Sequence, residues 1–208
     1  MRAVAAALVA GLALAIAGCG GDVTRTETIE LPGGGGGSAE DGAGRGGADL
    51  VGIDDCDDAE LQPDEDNLER VEAAALCLVE AERSDRGLAG LRRRDDLTDA
   101  ARAKSQDMVD QRYFEHVGPD GRDVRDWADD AGYLPGGGGG FRVGENLGWG
   151  SDGAADPATL VQGWMDSPSH RENILREGYE DTGMGVVLGE PGERGLGGAT
   201  YTQMFGSR

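Results

Sequence analysis

Apolar residues recur at helical spacing through the middle of the chain. The stretch NLERVEAAALCLVEAERSDRG, residues 67–87, carries them at three- and four-residue intervals, with Asn67 placed as a cap and Gly87 as a stop. The stretch DDLTDAARAKSQDMVDQRYF, residues 95–114, shows the same spacing, and DVRDWADDAGY, residues 123–133, shows it over a shorter length. The pattern therefore predicts two long helices followed by a short third one.

Two further helices are predicted where a capping residue is followed directly by proline. Asp156 precedes Pro157, and Ser167 precedes Pro168. A short polar side chain at this place accepts a hydrogen bond from the first helical turn, and proline fits the first helical position because its missing N–H is not needed there. The second of these helices should end at Gly178, since glycine is a common helix stop.

Two strand-like runs follow the helices near the end of the chain. They are TGMGVVLG, residues 182–189, and GATYTQMFG, residues 198–206, with a turn-rich stretch between them. An earlier stretch, VGENLGWG, residues 143–150, is predicted to be a short extended piece. Helices early and strands late indicate an α+β domain whose strands pair antiparallel.

The first residues have the pattern of an export signal. One charged residue, Arg2, precedes an apolar run to Ile16, which is too short to span a bilayer as a permanent helix. The run ends in IAGC, residues 16–19, which resembles the lipobox of bacterial lipoproteins. The resemblance implies a lipoprotein signal peptide over residues 1–18 and a lipid on Cys19. An ordinary signal peptide is the alternative.

Residues 19–58 are predicted to form a flexible acidic, glycine-rich tether, because they contain GGGGGSAEDGAGRGGAD and show no apolar periodicity. The folded domain is expected over residues 59–208. If Cys19 carries a lipid, Cys56 and Cys77 remain, and disulfides persist outside the cytoplasm. We therefore expect a disulfide between Cys56 and Cys77, with a metal site as the competing use.

The acidic balance of the chain removes some classes of partner. There are 40 acidic residues against 19 basic ones, for a formal charge of −21. Such a chain is repelled by nucleic acid and by anionic lipid headgroups, so neither is expected as a direct partner. The basic residues are arginines, except for Lys104, the only lysine.

Histidine is scarce, since the chain has only His116 and His170. His170 is the third residue of the helix predicted to begin at Pro168, where the helix dipole favours the uncharged ring. An uncharged imidazole can bind a metal ion, accept a hydrogen bond or act as a base, although a lone histidine can also simply pack in the core. Glu145 lies in an apolar stretch, where a carboxylate needs a partner unless it faces water.

Four motifs occur in order along the domain: FEHVGPDG, VGENLGWG, WMDSPSHRENIL and GMGVV. Together they resemble the bacterial branch of the CAP superfamily, which contains cysteine-rich secretory proteins, antigen 5 and plant pathogenesis-related-1 proteins. The resemblance covers about residues 68–206. It implies an α-β-α sandwich, in which a central antiparallel sheet lies between helical layers, and an additional strand around Arg142–Leu147.

The resemblance also implies a ligand cleft with two histidines and two acidic residues. His116 and His170 match the histidines, and Glu145 matches the glutamate of the GEN motif. Asp166, one place short of the family position, is the nearest acid for the fourth role. His116 and His170 are therefore candidate ligands of zinc or another divalent metal, and a small ligand is the other expected occupant.

No residue is assigned a catalytic role from the sequence, and the resemblance implies no common reaction. Ser167 and Ser169 flank His170 but lie outside any G-x-S-x-G motif, and no free cysteine is left as a nucleophile. An enzyme is therefore not the favoured interpretation. The alternative is a metal-assisted hydrolase of envelope or extracellular substrates, with Glu145 as the base. A pure protein-interaction module is a further alternative.

The sequence as a whole predicts an exported, monomeric CAP domain. We expect it to be anchored through Cys19 in the cell membrane, on the extracytoplasmic side, with partial release into the medium. Its other partner is expected to be a small ligand or an envelope component.

Overall fold

The computed structural model of the protein describes residues 21–24, 28–31, 50, 54–134, 140–151, 153–192 and 197–208. The predicted signal peptide and Cys19 lie outside these residues. Within them, no helix combines the length and the apolar character that a membrane crossing requires.

Five helices and six strands make up the described part of the chain. The helices are α1 (Leu68–Asp85), α2 (Asp95–Gln111), α3 (Val124–Asp130), α4 (Pro157–Asp166) and α5 (Pro168–Ile174). The strands are β1 (Gly21–Thr24), β2 (Thr28–Leu31), β3 (Arg92–Arg93), β4 (Phe141–Gly150), β5 (Asp181–Leu188) and β6 (Ala199–Ser207).

The strands form one mixed sheet in the order β1-β4-β6-β5-β3, and β2 also pairs with β4. The centre of the sheet is antiparallel, since β6 runs against both β4 and β5. At the edges, β1 and β2 run parallel to β4, and β3 runs parallel to β5. The expected antiparallel centre and the additional strand around Arg142–Leu147 are confirmed.

β1 and β2 lie within residues 19–58, the segment whose composition predicts a flexible tether. At these two strands the backbone is extended and paired with β4, instead of the coil that the composition predicts. Most of the remaining segment lies outside the described residues. A tether over that part of the chain stays a prediction.

Helices cover both faces of the sheet. Each face carries its own cluster of buried apolar side chains, to which both strands and helices contribute. Successive residues of a strand point to opposite faces, and Met204 and Phe205 of β6 belong to different clusters. Phe205 shares its cluster with Leu78 of α1 and Trp164 of α4. Met204 shares its cluster with Leu97 of α2 and with residues of α3. The fold is therefore the α+β sandwich with a helical layer on each side.

α2 lies unusually close to β5, because two glycines of that strand face it. A side chain at Gly183 would overlap the backbone of α2 at Leu97, and one at Gly185 would overlap the backbone at Arg102. The close approach lets Ser105 of α2 donate a hydrogen bond to the Gly185 carbonyl, with an oxygen–oxygen distance of 3.0 Å. These contacts fix the position of α2 on the sheet.

The expected disulfide between Cys56 and Cys77 is confirmed, with the two Cα atoms 5.8 Å apart. It connects the segment before α1 to the middle of that helix. Closing a loop of this size stabilises a fold by about 3 kcal/mol through the loss of entropy in the unfolded chain.

The three predicted caps all occupy the N-cap positions of their helices, but the Asn67 side chain makes no capping hydrogen bond to α1. Asp156 caps α4 as expected, since its carboxylate accepts a hydrogen bond from the Thr159 backbone nitrogen at 2.8 Å. Ser167 occupies the N-cap position of α5 and Pro168 is the first helical residue, as predicted, but the Ser167 side chain makes no capping hydrogen bond. The predicted stop at Gly178 is wrong, because α5 ends at Ile174.

Replacing Gly185 with alanine should destabilise the fold by about 1–3 kcal/mol, because the added methyl group forces α2 away from β5. Gly192→Ala is the matched control. Gly192 is exposed, and a methyl group there would meet no atom within 4 Å. Its substitution should change the free energy of unfolding by less than about 0.5 kcal/mol. Urea denaturation of both variants measures the difference, and equal midpoints would show that the close approach is not required.

Candidate functional site

The motif GEN places two buried polar residues in the middle of β4. Glu145 has 1% of its surface exposed and Asn146 has none. Glu145 pairs across the sheet with Met204, so its side chain faces the α2 and α3 layer. Asn146 faces the opposite layer. A carboxylate and an amide in these positions need hydrogen-bond partners from other elements.

The partner of Glu145 is His116, which lies in the segment after α2. The His116 Nδ1 atom is 2.7 Å from Glu145 Oε1, and both side chains are almost fully buried. A neutral imidazole whose Nδ1–H donates to a carboxylate presents its Nε2 lone pair as an acceptor. Within the described residues, the buried Nε2 atom of His116 has no hydrogen-bond partner.

The stretch of β4 around Glu145 is also bound by α4 and α5. Asn173 of α5 donates through Nδ2 to the Glu145 carbonyl and to Asn146 Oδ1, each at 3.1 Å. The Asn146 side chain donates to the His170 carbonyl at 3.2 Å. The Trp164 indole of α4 donates to the Leu147 carbonyl of β4 at 3.0 Å. These hydrogen bonds hold α5 beside the residue that binds His116.

His170 is fully buried on α5, and its ring contacts the residue that was expected to cap this helix. The Nδ1 atom of His170 lies 2.8 Å from the Ser167 hydroxyl oxygen. The hydroxyl is therefore directed to the imidazole, which explains why it does not cap the helix. The structure brings His116 and Glu145 into direct contact and connects His170 to the same stretch of β4 through its backbone.

Asp166, the candidate for the fourth position, lies apart from this group. It is the exposed last residue of α4, and its carboxylate accepts a hydrogen bond from Gln162 of the same helix at 3.0 Å. The structure thus does not bring Asp166 to the pair formed by His116 and Glu145.

The described residues do not fit a zinc centre with three protein ligands. Among them, no group of three or more histidine, cysteine, aspartate or glutamate side chains is placed to hold a metal ion.

Lys104 is the residue near the site that sequence reasoning missed. It lies on α2 and donates a hydrogen bond to the His116 carbonyl, with a nitrogen–oxygen distance of 3.3 Å. Lys104 also donates a hydrogen bond to the Tyr113 hydroxyl, which in turn donates to Asp107. Burial, together with that hydrogen bond, raises the pKa of Tyr113, so its phenol stays protonated. The only available signal was that the chain has a single lysine.

Comparisons with known proteins agree with this architecture. The model of the cysteine-rich secretory protein family, CAP, matches residues 76–205. The uncharacterized protein YkwD of Bacillus subtilis (strain 168) is 34% identical over 134 residues, which are 64% of this chain and 46% of that protein. The chain therefore spans about half the length of this curated relative.

Two solved structures are similar in fold. An extracellular protein containing an SCP domain, from Bacillus anthracis str. Ames, aligns with a TM-score of 0.53 and 25% identity, over 69% of this chain and 43% of that one. An outer surface protein from Borrelia burgdorferi aligns with a TM-score of 0.55 and 16% identity, over 71% of this chain and 97% of that one.

Replacing Asn173 with alanine should cost about 1–3 kcal/mol of unfolding free energy, because two buried acceptors on β4 lose their donor. Glu172→Ala is the control one position away. Glu172 is exposed and pairs with Arg176 four residues on, a surface contact worth less than about 0.5 kcal/mol. Urea denaturation compares the two, and a Glu172→Ala variant as unstable as Asn173→Ala would contradict the assigned role.

Proposed function

The chain belongs to the cysteine-rich secretory protein family, the CAP family, and we propose that it is an exported, membrane-anchored member that binds a small ligand. The Cys56–Cys77 disulfide supports export, because disulfides persist outside the cytoplasm. The ligand site is proposed at His116 and Glu145.

The observation that carries the ligand proposal is the hydrogen bonding of the two ring nitrogens of His116. Its Nδ1 atom is engaged by Glu145, while its buried Nε2 atom has no hydrogen-bond partner among the described residues. A buried acceptor without a donor costs about 1–3 kcal/mol. A ligand that brings an N–H or O–H group to Nε2 recovers this free energy, so the proposed ligand is a small molecule with a hydroxyl or amine donor.

The anchor is proposed on Cys19. The apolar run before it is too short to remain as a membrane span, and the IAGC sequence resembles a lipobox. Stable anchoring takes more than one acyl chain, and lipoprotein modification supplies several.

His116→Gln should abolish the capture of small molecules, because the glutamine side chain cannot reproduce the ring acceptor held by Glu145. The test passes a small-molecule extract of the cell envelope over the immobilised protein and identifies the eluted compounds by mass spectrometry. Compounds enriched by the wild type should be absent from His116→Gln.

Asp166→Asn is the control for this experiment, since Asp166 is exposed and bonds within its own helix. It should capture the same compounds as the wild type. Identical capture by wild type and His116→Gln, or no enrichment by the wild type, would refute the ligand site.

Cys19→Ser should move the protein from the membrane fraction to the medium, because it removes the atom that carries the lipid. Cell fractionation with labelled fatty acid measures both the location and the label. Cys56→Ser is the control, since it breaks the disulfide and leaves the anchor. A Cys19→Ser protein that stays in the membrane fraction contradicts the proposed anchor.

A further inference from the structure

Lys104 is fully buried on α2 although lysine almost never lies inside a protein without a specific partner. Removing an ammonium group from water is strongly unfavourable unless protein acceptors replace the water. The ligand site proposed above does not include Lys104. The groups that accept hydrogen bonds from the Lys104 ammonium show which part of the chain it holds in place.

The Lys104 ammonium donates its hydrogen bonds to the segment that follows α2. Its Nζ atom lies 2.8 Å from the Glu115 carbonyl, 3.3 Å from the His116 carbonyl and 3.1 Å from the Tyr113 hydroxyl. The ammonium also lies 4.7 Å from the centre of the Tyr113 ring, within the range of a cation–π interaction. One charged group thus connects α2 to residues 113–116.

The start of this segment is also bonded to α2, since the Tyr113 N–H donates to the Met108 carbonyl at 3.1 Å and the Tyr113 hydroxyl donates to Asp107. The chain leaves α2 through Arg112, which takes the left-handed conformation with φ of 58°. Regular turn hydrogen bonds resume at Gly118, whose N–H donates to the Arg122 carbonyl at 2.9 Å. Between these points, Lys104 donates to the backbone carbonyls of Glu115 and His116.

We propose that Lys104 is a positioning residue for the ligand site, holding the backbone of His116 at the place from which its ring reaches Glu145. His116 is then held on two sides, by Lys104 at its carbonyl and by Glu145 at its Nδ1 atom. This role rests on the proposed function, since positioning matters for binding only if His116 contacts a ligand. The hydrogen bond between His116 and Glu145 is measurable without any ligand.

The test replaces Lys104 with methionine, which keeps the length of the apolar stem and removes the charge and the donors. Nuclear magnetic resonance of the full chain with 15N-labelled histidine gives signals from only two imidazole rings. The hydrogen exchange rate of the His116 Nδ1 proton should rise roughly ten- to hundredfold, because charge-assisted hydrogen bonds are lost. The ring of His170, which contacts Ser167, should be unaffected. An unchanged His116 rate would overturn the proposal.

Ser105→Ala is the matched control on the same turn of α2. Ser105 is also fully buried, but its hydroxyl contacts the sheet at Gly185 and Thr202. This variant should lose stability without faster exchange at His116. If Ser105→Ala accelerates exchange as much as Lys104→Met, a general loosening of α2 explains the effect and the proposal fails.

Tyr113→Phe keeps the idea testable should Lys104→Met not fold. It removes one acceptor of the ammonium and keeps the ring beneath it. The His116 exchange rate should then rise roughly two- to tenfold, as expected for one hydrogen bond, and no rise would overturn the proposal.

If the wild type captures no compound while Lys104→Met still accelerates exchange, the ligand site fails and the positioning of His116 stands.

Discussion

The contact on which the rest of the structure depends is the packing of the α2 backbone on β5. Gly183 and Gly185 carry no side chains, so the helix lies closer to the sheet than a layer of side chains would permit. From this position Ser105 reaches the sheet, and its neighbour Lys104 reaches the segment after the helix. The location of His116 follows from the contact, because the segment that carries it begins where α2 ends.

The candidate site consists of polar groups that a core accepts only with their partners in place. Glu145, Asn146 and Asn173 are almost fully buried, and each hydrogen bonds to a different element of the fold. A buried network of this kind specifies one arrangement, because any displacement leaves a donor or an acceptor unsatisfied. β4, α5 and the segment after α2 therefore hold one another in register.

The helices were predictable because their apolar faces depend little on the rest of the fold, and α1 and α4 begin where the pattern places them. β4 was harder, since glycine, glutamate and asparagine are poor strand formers and their burial is decided by β6 and α5. The sequence pattern predicted only a short extended piece over residues 143–150, and the family resemblance implied a strand around Arg142–Leu147. Ser167 holds the predicted N-cap position, but its hydroxyl contacts the His170 ring instead of the helix backbone. Periodicity could not distinguish Lys104 from a surface lysine.

The disulfide has a mechanical consequence for force that enters the domain at Cys56. A pull on the chain before Cys56 passes through the sulfur–sulfur bond directly into α1 at Cys77. Residues 57–76, which include the first turns of α1, carry none of that tension. Force that reaches Cys56 would thus load the helix at its middle, where neighbouring elements share it, and would not peel the domain open from Asp57.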